Sequence, residues 1–123
     1  MGWFQRHDAE IRTFGEVHGG DGSIQISRFF HDRLTLPIHV QLWELEPGTS
    51  EGDHTHPGGD PADNWEELYY VLSGTGTITI DGARQAIGPG DAVLVPTDIH
   101  HGLYATGDQP LRILLIFGRP PAG

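Results

Sequence analysis

Three histidines and one glutamate in this chain have the types and spacing of metal ligands. His54 and His56 are two residues apart, so on an extended segment both imidazoles project to one side and could chelate a single ion. Glu67 begins a predicted strand, and His101 follows the end of another. The chain has no cysteine, and imidazole with carboxylate groups is how such a protein holds a divalent metal. These four residues are the predicted metal site.

Strand parity distinguishes the two neighbouring glutamates. Glu67, Tyr69 and Val71 share one face of the predicted strand, whereas Glu66 has the opposite parity and should point to solvent. If the first face lines the interior, the carboxylate of Glu67 needs a counter-charge, because burying it unpaired is costly. A dication would provide that charge.

Two further side chains join Glu67 as candidate catalytic residues. Tyr69 could offer its phenol to the cavity, or it could be an ordinary core tyrosine. His39 shares a face with Gln41 and Trp43 and could contact substrate or relay a proton; the alternative is a hydrogen-bonded structural histidine. Three other histidines lie in polar context and give no functional signal: His7, His18 and His31.

Short strands are the elements expected to position these residues. Eighteen glycines and nine prolines interrupt the chain, and no window keeps helical spacing for more than about three turns, which predicts an all-β domain. Alternation or apolar runs predict strands at 23–30, 39–45, 67–72, 75–80, 92–95 and 111–117, the last covered on both faces. Asp81-Gly82 predicts a type I′ hairpin turn. Six to eight such strands indicate a sandwich or small barrel.

Length and charge exclude several classes of protein. At 123 residues we expect one domain, with an N-terminal arm at 1–20 and a tail at 119–123. A net charge of −10 opposes binding to nucleic acid or anionic membranes. No apolar run reaches the length of a membrane span or a signal peptide, so we expect a cytoplasmic protein with a small-molecule partner.

Two motifs resemble those of the cupin superfamily. The first cupin motif is a glycine, five residues, His-x-His, a short gap, glutamate, six residues and a glycine. Five residues fit these positions: Gly48, His54, His56, Glu67 and Gly74. Residues 90–101 resemble the second motif, a glycine, five residues and Pro-x-Gly-x-x-His. With Pro96 as anchor, the ligand is His101, and His100 points elsewhere.

The resemblance covers about residues 38–117 and implies a double-stranded β-helix, or jelly roll, at 21–118. It also implies a homodimer in which His54, His56, Glu67 and His101 bind Fe, Mn, Ni, Co, Cu or Zn. The chain departs from the family pattern at three places, none of them a ligand. Ten residues separate His56 from Glu67 where three or four are usual, Asp98 replaces a glycine, and Ala105 replaces the final asparagine.

The long gap at 57–66 lies beside the first two ligands. Its glycines and prolines cannot extend a strand, so it is expected to form a loop over the barrel mouth. Trp65 and either Asp60 or Asp63 could act there as a lid or as substrate contacts. The alternative is an ordinary lengthened hairpin loop.

Function is predicted from the open positions of the metal. Four ligands leave two positions of an octahedral ion for an oxygen-rich organic substrate, water or dioxygen. A metal-dependent enzyme of the dioxygenase type is therefore favoured, with isomerase, cyclase or decarboxylase chemistry as alternatives. A non-catalytic cupin that binds a small ligand is the second hypothesis. A set of surface histidines, or a cupin that has lost its metal, is the remaining alternative.

Overall fold

A computed structural model describes residues 2–122, and ten β-strands account for its regular structure apart from one 3₁₀ turn. The strands are β1 Ile11–Gly15, β2 Ser23–Arg28, β3 Ile38–Leu45, β4 Ser50–His54, β5 Glu66–Ser73, β6 Thr75–Ile80, β7 Ala83–Ile87, β8 Ala92–Val95, β9 His101–Thr106 and β10 Leu111–Gly118. The 3₁₀ turn is Val17–Gly19. The predicted all-β jelly roll is confirmed.

The strands form two antiparallel sheets. The larger has the order β1-β2-β3-β10-β5-β8, and the smaller has the order β4-β9-β6-β7. Several neighbours, such as β4 and β9 or β5 and β10, come from distant parts of the chain, so segments carrying the candidate ligands are brought together across the fold. None of the described residues forms a helix long and apolar enough to cross a membrane.

All six predicted strands are present, with ends that differ by two residues or fewer. Asp81 and Gly82 have φ angles of 48° and 83°, and both must be positive in a type I′ turn. The structure adds β4, β7 and β9, which had not been predicted as strands, and residues 11–15 of the N-terminal arm also form a strand. Strands β4, β7 and β9 all belong to the smaller sheet.

Alternation along β5 separates the core from the outer surface. Glu67, Tyr69 and Val71 are buried, whereas Glu66 is exposed, as parity predicted. The interior between the sheets is filled by aliphatic and aromatic side chains, among them Ile24, Leu45, Tyr69, Ile78, Leu103, Ile113 and Leu115. Glu67 therefore lies at the edge of an apolar core.

Strand β10 differs from its prediction. Leu111, Ile113 and Leu115 are buried, but Leu114 and Ile116 on the other face are only partly buried. An apolar run predicted to be covered on both faces is covered on one face within this chain. The reason is that no further layer of the described chain packs on the outside of the larger sheet.

Candidate metal centre

The four candidate ligands come from both sheets. His54 ends β4 and pairs directly with His101, the first residue of β9. His56 follows two residues after β4, and Glu67 projects from β5 in the opposite sheet. The ends of three strands thus place these side chains in one space between the sheets.

Their donor atoms lie close enough to share one ion. All four ligand atoms are within 4.8 Å of one another. Nε2 of His54 is 3.2 Å from Nε2 of His56. Oε1 of Glu67 is 3.0 Å from Nε2 of His56 and 2.9 Å from Nε2 of His101. Ligand atoms at right angles around an ion, each bonded at about 2.1 Å, are about 3 Å apart, so these spacings suit a metal centre.

The second nitrogen of each imidazole is held by an acceptor. Nδ1 of His54 donates to the carbonyl of Gly52 at 2.8 Å, and Nδ1 of His101 donates to that of Ile99 at 2.9 Å. Nδ1 of His56 donates to Oδ1 of Asp63 at 2.9 Å. Because all three Nδ1 atoms act as donors, the three Nε2 atoms are the ones directed at the cluster, as in histidines that bind metals.

Electrostatics favour a cation in this cluster. Burial would raise the pKa of Glu67, but hydrogen bonds with His101 and His56 lower it to about 2. Burial would likewise lower the pKa of His56, but Glu67 and Asp63 raise it to about 9. For His101, the same Glu67 bond overcomes burial and raises the pKa. A dication would replace the Nε2 protons of His56 and His101 and leave the charge of the cluster unchanged, so these residues fit a divalent metal.

A buried pair, Glu51 and Tyr69, forms the floor of the cluster. Tyr69 donates its hydroxyl to Oε1 of Glu51 at 3.2 Å, and Oε2 of Glu51 is 3.8 Å from Nε2 of His54. Burial, with the charge of Glu67, raises the pKa of Glu51 to about 8. Tyr69 is fully buried in the core and its hydroxyl contacts Glu51 rather than open space, so its catalytic role stays a prediction.

A β-bulge explains why Glu51 faces the site. Glu51 pairs with Leu103 and His54 pairs with His101, so β4 has one more residue than β9 in this interval. Without the extra residue, two positions three apart would face opposite sides of the sheet. The alternation of polar and apolar residues could not identify Glu51, because this pattern does not reveal where a bulge occurs.

His18 is a second residue that sequence reasoning missed. Its ring stacks on His54, with centroids 3.5 Å apart and an angle of 9° between the planes, and its side chain is about 41% exposed. The φ of His18 is 51°, in the left-handed region that non-glycine residues rarely adopt. His18 thus covers the His54 side of the cluster. Its polar surroundings in the sequence gave no sign of this long-range contact.

The long loop at 57–66 is fixed to the site at several points. Asp63 supports His56, whereas Asp60 accepts from the backbone of Ala62 within the loop. Asp98, which stands where the cupin motif has glycine, has a φ of 70° and accepts from the backbone nitrogen of Gly58 at 2.8 Å. Asp63 is thus the one of these two aspartates that contacts a candidate metal ligand, and the lid or substrate role of the loop stays a prediction.

His39 and His100 lie apart from the four ligands. His39 stacks on Phe117 at 4.8 Å, and Phe117 lies between it and Glu67 in the register of the larger sheet. The structure therefore does not bring His39 into the ligand cluster. His100 is exposed, and its backbone nitrogen donates to Oδ1 of Asp81.

Comparisons with known proteins agree with this architecture. The model of a family described as "Cupin domain" matches residues 41–117. An uncharacterized protein of Methanocaldococcus jannaschii is 37% identical over 96 residues, which cover 76% of this chain and 71% of that protein. An oxalate-binding protein of Thermotoga maritima is 27% identical over 105 residues, which cover 81% of this chain and 79% of that protein.

Solved structures share the fold. A predicted oxalate decarboxylase from Thermotoga maritima superposes with a TM-score of 0.79 and 23% identity, covering 89% of this chain and 92% of that chain. KdgF from a Halomonas species superposes with a TM-score of 0.75 and 18% identity, covering 98% of this chain and 96% of that chain. At these identities the likeness concerns the fold alone.

Proposed function

This chain belongs to the cupin domain family, and on that basis we propose that it is a metal-dependent enzyme acting on a small, oxygen-rich organic substrate. The observation that carries the proposal is the arrangement of His54, His56, Glu67 and His101 with their donor atoms within 4.8 Å. Packing alone gives no reason to gather three imidazoles and a carboxylate inside a barrel. An organic acid or enol is the substrate class that we infer.

The bound ion would supply Lewis-acid stabilisation of negative charge on a substrate oxygen and, if it is iron, manganese or nickel, reactivity with dioxygen. Four protein donors leave two positions of a six-coordinate ion for exogenous ligands. Glu67 lowers the net charge of the centre, and Asp63 with the two backbone carbonyls keeps the imidazoles oriented.

The remaining residues shape the space around the reacting group. His18 covers the side of the cluster at His54 and is exposed enough to meet an incoming ligand. Tyr69 retains its proton, because burial raises the pKa of its phenol well above the ordinary value, so it acts as a hydrogen-bond donor to Glu51. The apolar core behind Tyr69 excludes water from the floor of the site.

A substrate panel tests the enzymatic proposal. The purified protein is loaded in turn with iron, manganese, nickel or zinc and assayed with diketones, enolisable acids and oxalate, while oxygen consumption and products are followed. We expect turnover with at least one metal and its loss on chelation. Oxygen consumption would assign the dioxygenase type, whereas product without oxygen consumption would assign isomerase, cyclase or decarboxylase chemistry. Turnover that survives complete metal removal would contradict the proposal.

Non-catalytic binding is the second candidate, favoured by the oxalate-binding protein among the relatives. In that case the metal-loaded protein binds a small dicarboxylate without converting it. Calorimetric titration with oxalate, followed by product analysis of the same sample, separates the two candidates. Binding to a His54→Ala variant equal to that of the wild type would show that the ligand does not use the metal.

A further inference from the structure

A second cavity, of about 230 Å³, opens near the ends of β2 and β3, and none of the four candidate metal ligands lines it. Arg28 and Gln41 are paired across these strands, and they continue the inward face that Ile26 and Trp43 begin. His39, also in the lining, is two strands from Glu67. At about 4.8 Å per strand, the two positions are about 10 Å apart.

The charge of this cavity is opposite to that of the molecule. Arg28 and Arg119 both line it, and they are two of only seven cationic side chains in a chain of net charge −10. No aspartate or glutamate is among its described lining residues. Glu10 pairs with Arg28 from outside that lining. The second guanidinium, Arg119, has no such carboxylate partner among the described ion pairs, so the cavity favours an anion.

Hydrogen-bond donors in the cavity are only partly used. Nε of Arg28 is buried without an acceptor among the described residues. Such a donor costs about 1–3 kcal/mol when unsatisfied. The amide oxygen of Gln41 accepts from Nε1 of Trp43 at 2.8 Å, and this bond directs the Gln41 amide nitrogen away from Trp43. Arg28 and Gln41 both line the cavity, together with the guanidinium of Arg119.

One wall of the cavity carries two aromatic rings, His39 and Trp65, which are nearly perpendicular to each other. His39 and Trp65 are in edge contact at 5.4 Å, and both pack against Phe117. The guanidinium of Arg119 lies 3.8 Å from the centre of the Trp65 ring. A flat or apolar body can pack on such a wall while its charged end meets a guanidinium.

The rim is held in place before any ligand arrives. Gln5 donates to the backbone oxygen of Arg28 and accepts from the backbone nitrogen of Phe30, both at 2.8 Å. Arg119 donates to the carbonyl of Pro61 and to the side chain of Asn64, both at 3.0 Å. Preorganisation of this kind lowers the entropic cost of binding.

We propose that this cavity binds a small organic carboxylate with a flat body, at a site separate from the metal centre. The carboxylate lies against the Arg28 and Gln41 donors, and the body packs against Trp65 and His39. This binding needs no metal, so it stands or falls independently of the proposed enzymatic function.

Benzoate is the probe, with benzyl alcohol as its uncharged counterpart. Binding to the chelator-treated full chain is measured by calorimetry and by the indole signal of Trp65 in nitrogen-15 NMR spectra, assigned with a Trp65→Phe variant. We expect benzoate to bind and to move that signal, and benzyl alcohol to bind at least about tenfold more weakly. Failure of benzoate to bind, or equal binding of benzyl alcohol, would overturn the proposal.

Three variants locate the site. Arg28→Lys retains the positive charge that pairs with Glu10 but removes the Nε donor, and Arg119→Gln changes an exposed residue near the chain end. We expect Arg28→Lys and Arg119→Gln each to weaken benzoate binding about tenfold or more. Arg84→Gln, an exposed arginine in the other sheet, is the matched control and should bind like the wild type. Equal weakening by all three variants, or binding that appears only after metal is added, would contradict a separate site.

Discussion

Glu67 is the ligand with the most direct electrostatic role, because it is the only carboxylate in the four-residue cluster. Glu67→Gln keeps the shape of the side chain but removes its charge. We expect metal affinity to fall about 100-fold or more, since the loss of supporting residues alone typically costs about 10–100-fold. Competition with a chromophoric chelator measures the change.

Glu66→Gln is the matched control for that measurement. The two glutamates are adjacent in β5, but Glu66 is exposed and faces away from the cluster. Its replacement should leave metal affinity unchanged. Equal losses in the two variants would show that the net charge of the protein, rather than coordination, determines metal binding.

Asp63 should influence the metal without touching it. Asp63→Ala removes the acceptor of the His56 Nδ1 proton, which frees the imidazole to rotate and lowers its basicity. We expect metal affinity to fall about 10–100-fold in the same chelator competition. Asp60→Ala, in the same loop, is the control, because the described side-chain bond of Asp60 goes to the backbone of Ala62 and not to a histidine. If Asp60→Ala were as damaging as Asp63→Ala, loop integrity rather than imidazole orientation would be responsible.

Individual residues differ in how far the sequence could reveal them. His54, His56 and His101 lie in recognisable spacings, and β5 parity separated Glu67 from Glu66. Their meeting in space, and the support of His56 by Asp63, required the fold. His18 reaches His54 only through long-range packing, which no local pattern encodes.

At the level of elements, the Val17–Gly19 turn depends on a close approach to β4. A Cβ built on Gly52 would lie 2.1 Å from the carbonyl oxygen of His18, so any larger residue must push the two segments apart. We expect Gly52→Ala to lower the free energy of unfolding by about 1–3 kcal/mol, the usual cost of overpacking. Urea denaturation measures this value.

Gly88→Ala is the control for this substitution. A Cβ on Gly88 meets no atom within 4 Å, and its φ is outside the left-handed region. Its replacement should leave stability within about 0.5 kcal/mol of the wild type, as for most surface changes. A similar loss in both variants would trace the effect to glycine replacement in general rather than to the contact with His18.

The strands show where pattern reasoning succeeds and fails. Alternating strands such as β5, and β6 with the Asp81-Gly82 turn that follows it, were predicted because their periodicity and turn residues are local properties. Strand β4 was missed because its sequence, Ser-Glu-Gly-Asp-His, is polar and contains a bulge. Its residues are strand only because β9 pairs with them, and that pairing is a tertiary effect.

For the molecule as a whole, bound metal should stabilise the fold. The ligands come from both sheets, so an ion that they share binds the folded chain better than the unfolded one. At a free concentration about 100 times the dissociation constant, the gain is about 2.7 kcal/mol. The melting temperature should be higher with zinc than without it, and this increase should be much smaller for Glu67→Gln. An equal increase in the wild type and in Glu67→Gln would show that zinc binds outside the four-residue cluster.

The outer face of the larger sheet should mediate a homodimer. Leu68, Tyr70, Leu72 and Leu94 are exposed on this face beside the half-buried Leu114 and Ile116. Because contiguous apolar surface of this kind is rare on monomers, we expect a second copy to cover it. Light scattering coupled to size exclusion should give twice the chain mass of 13.5 kDa. Leu94→Glu should yield a monomer, whereas Ala86→Glu, which adds the same charge to the other sheet, should remain a dimer. A monomeric wild type at micromolar concentration would contradict this assembly.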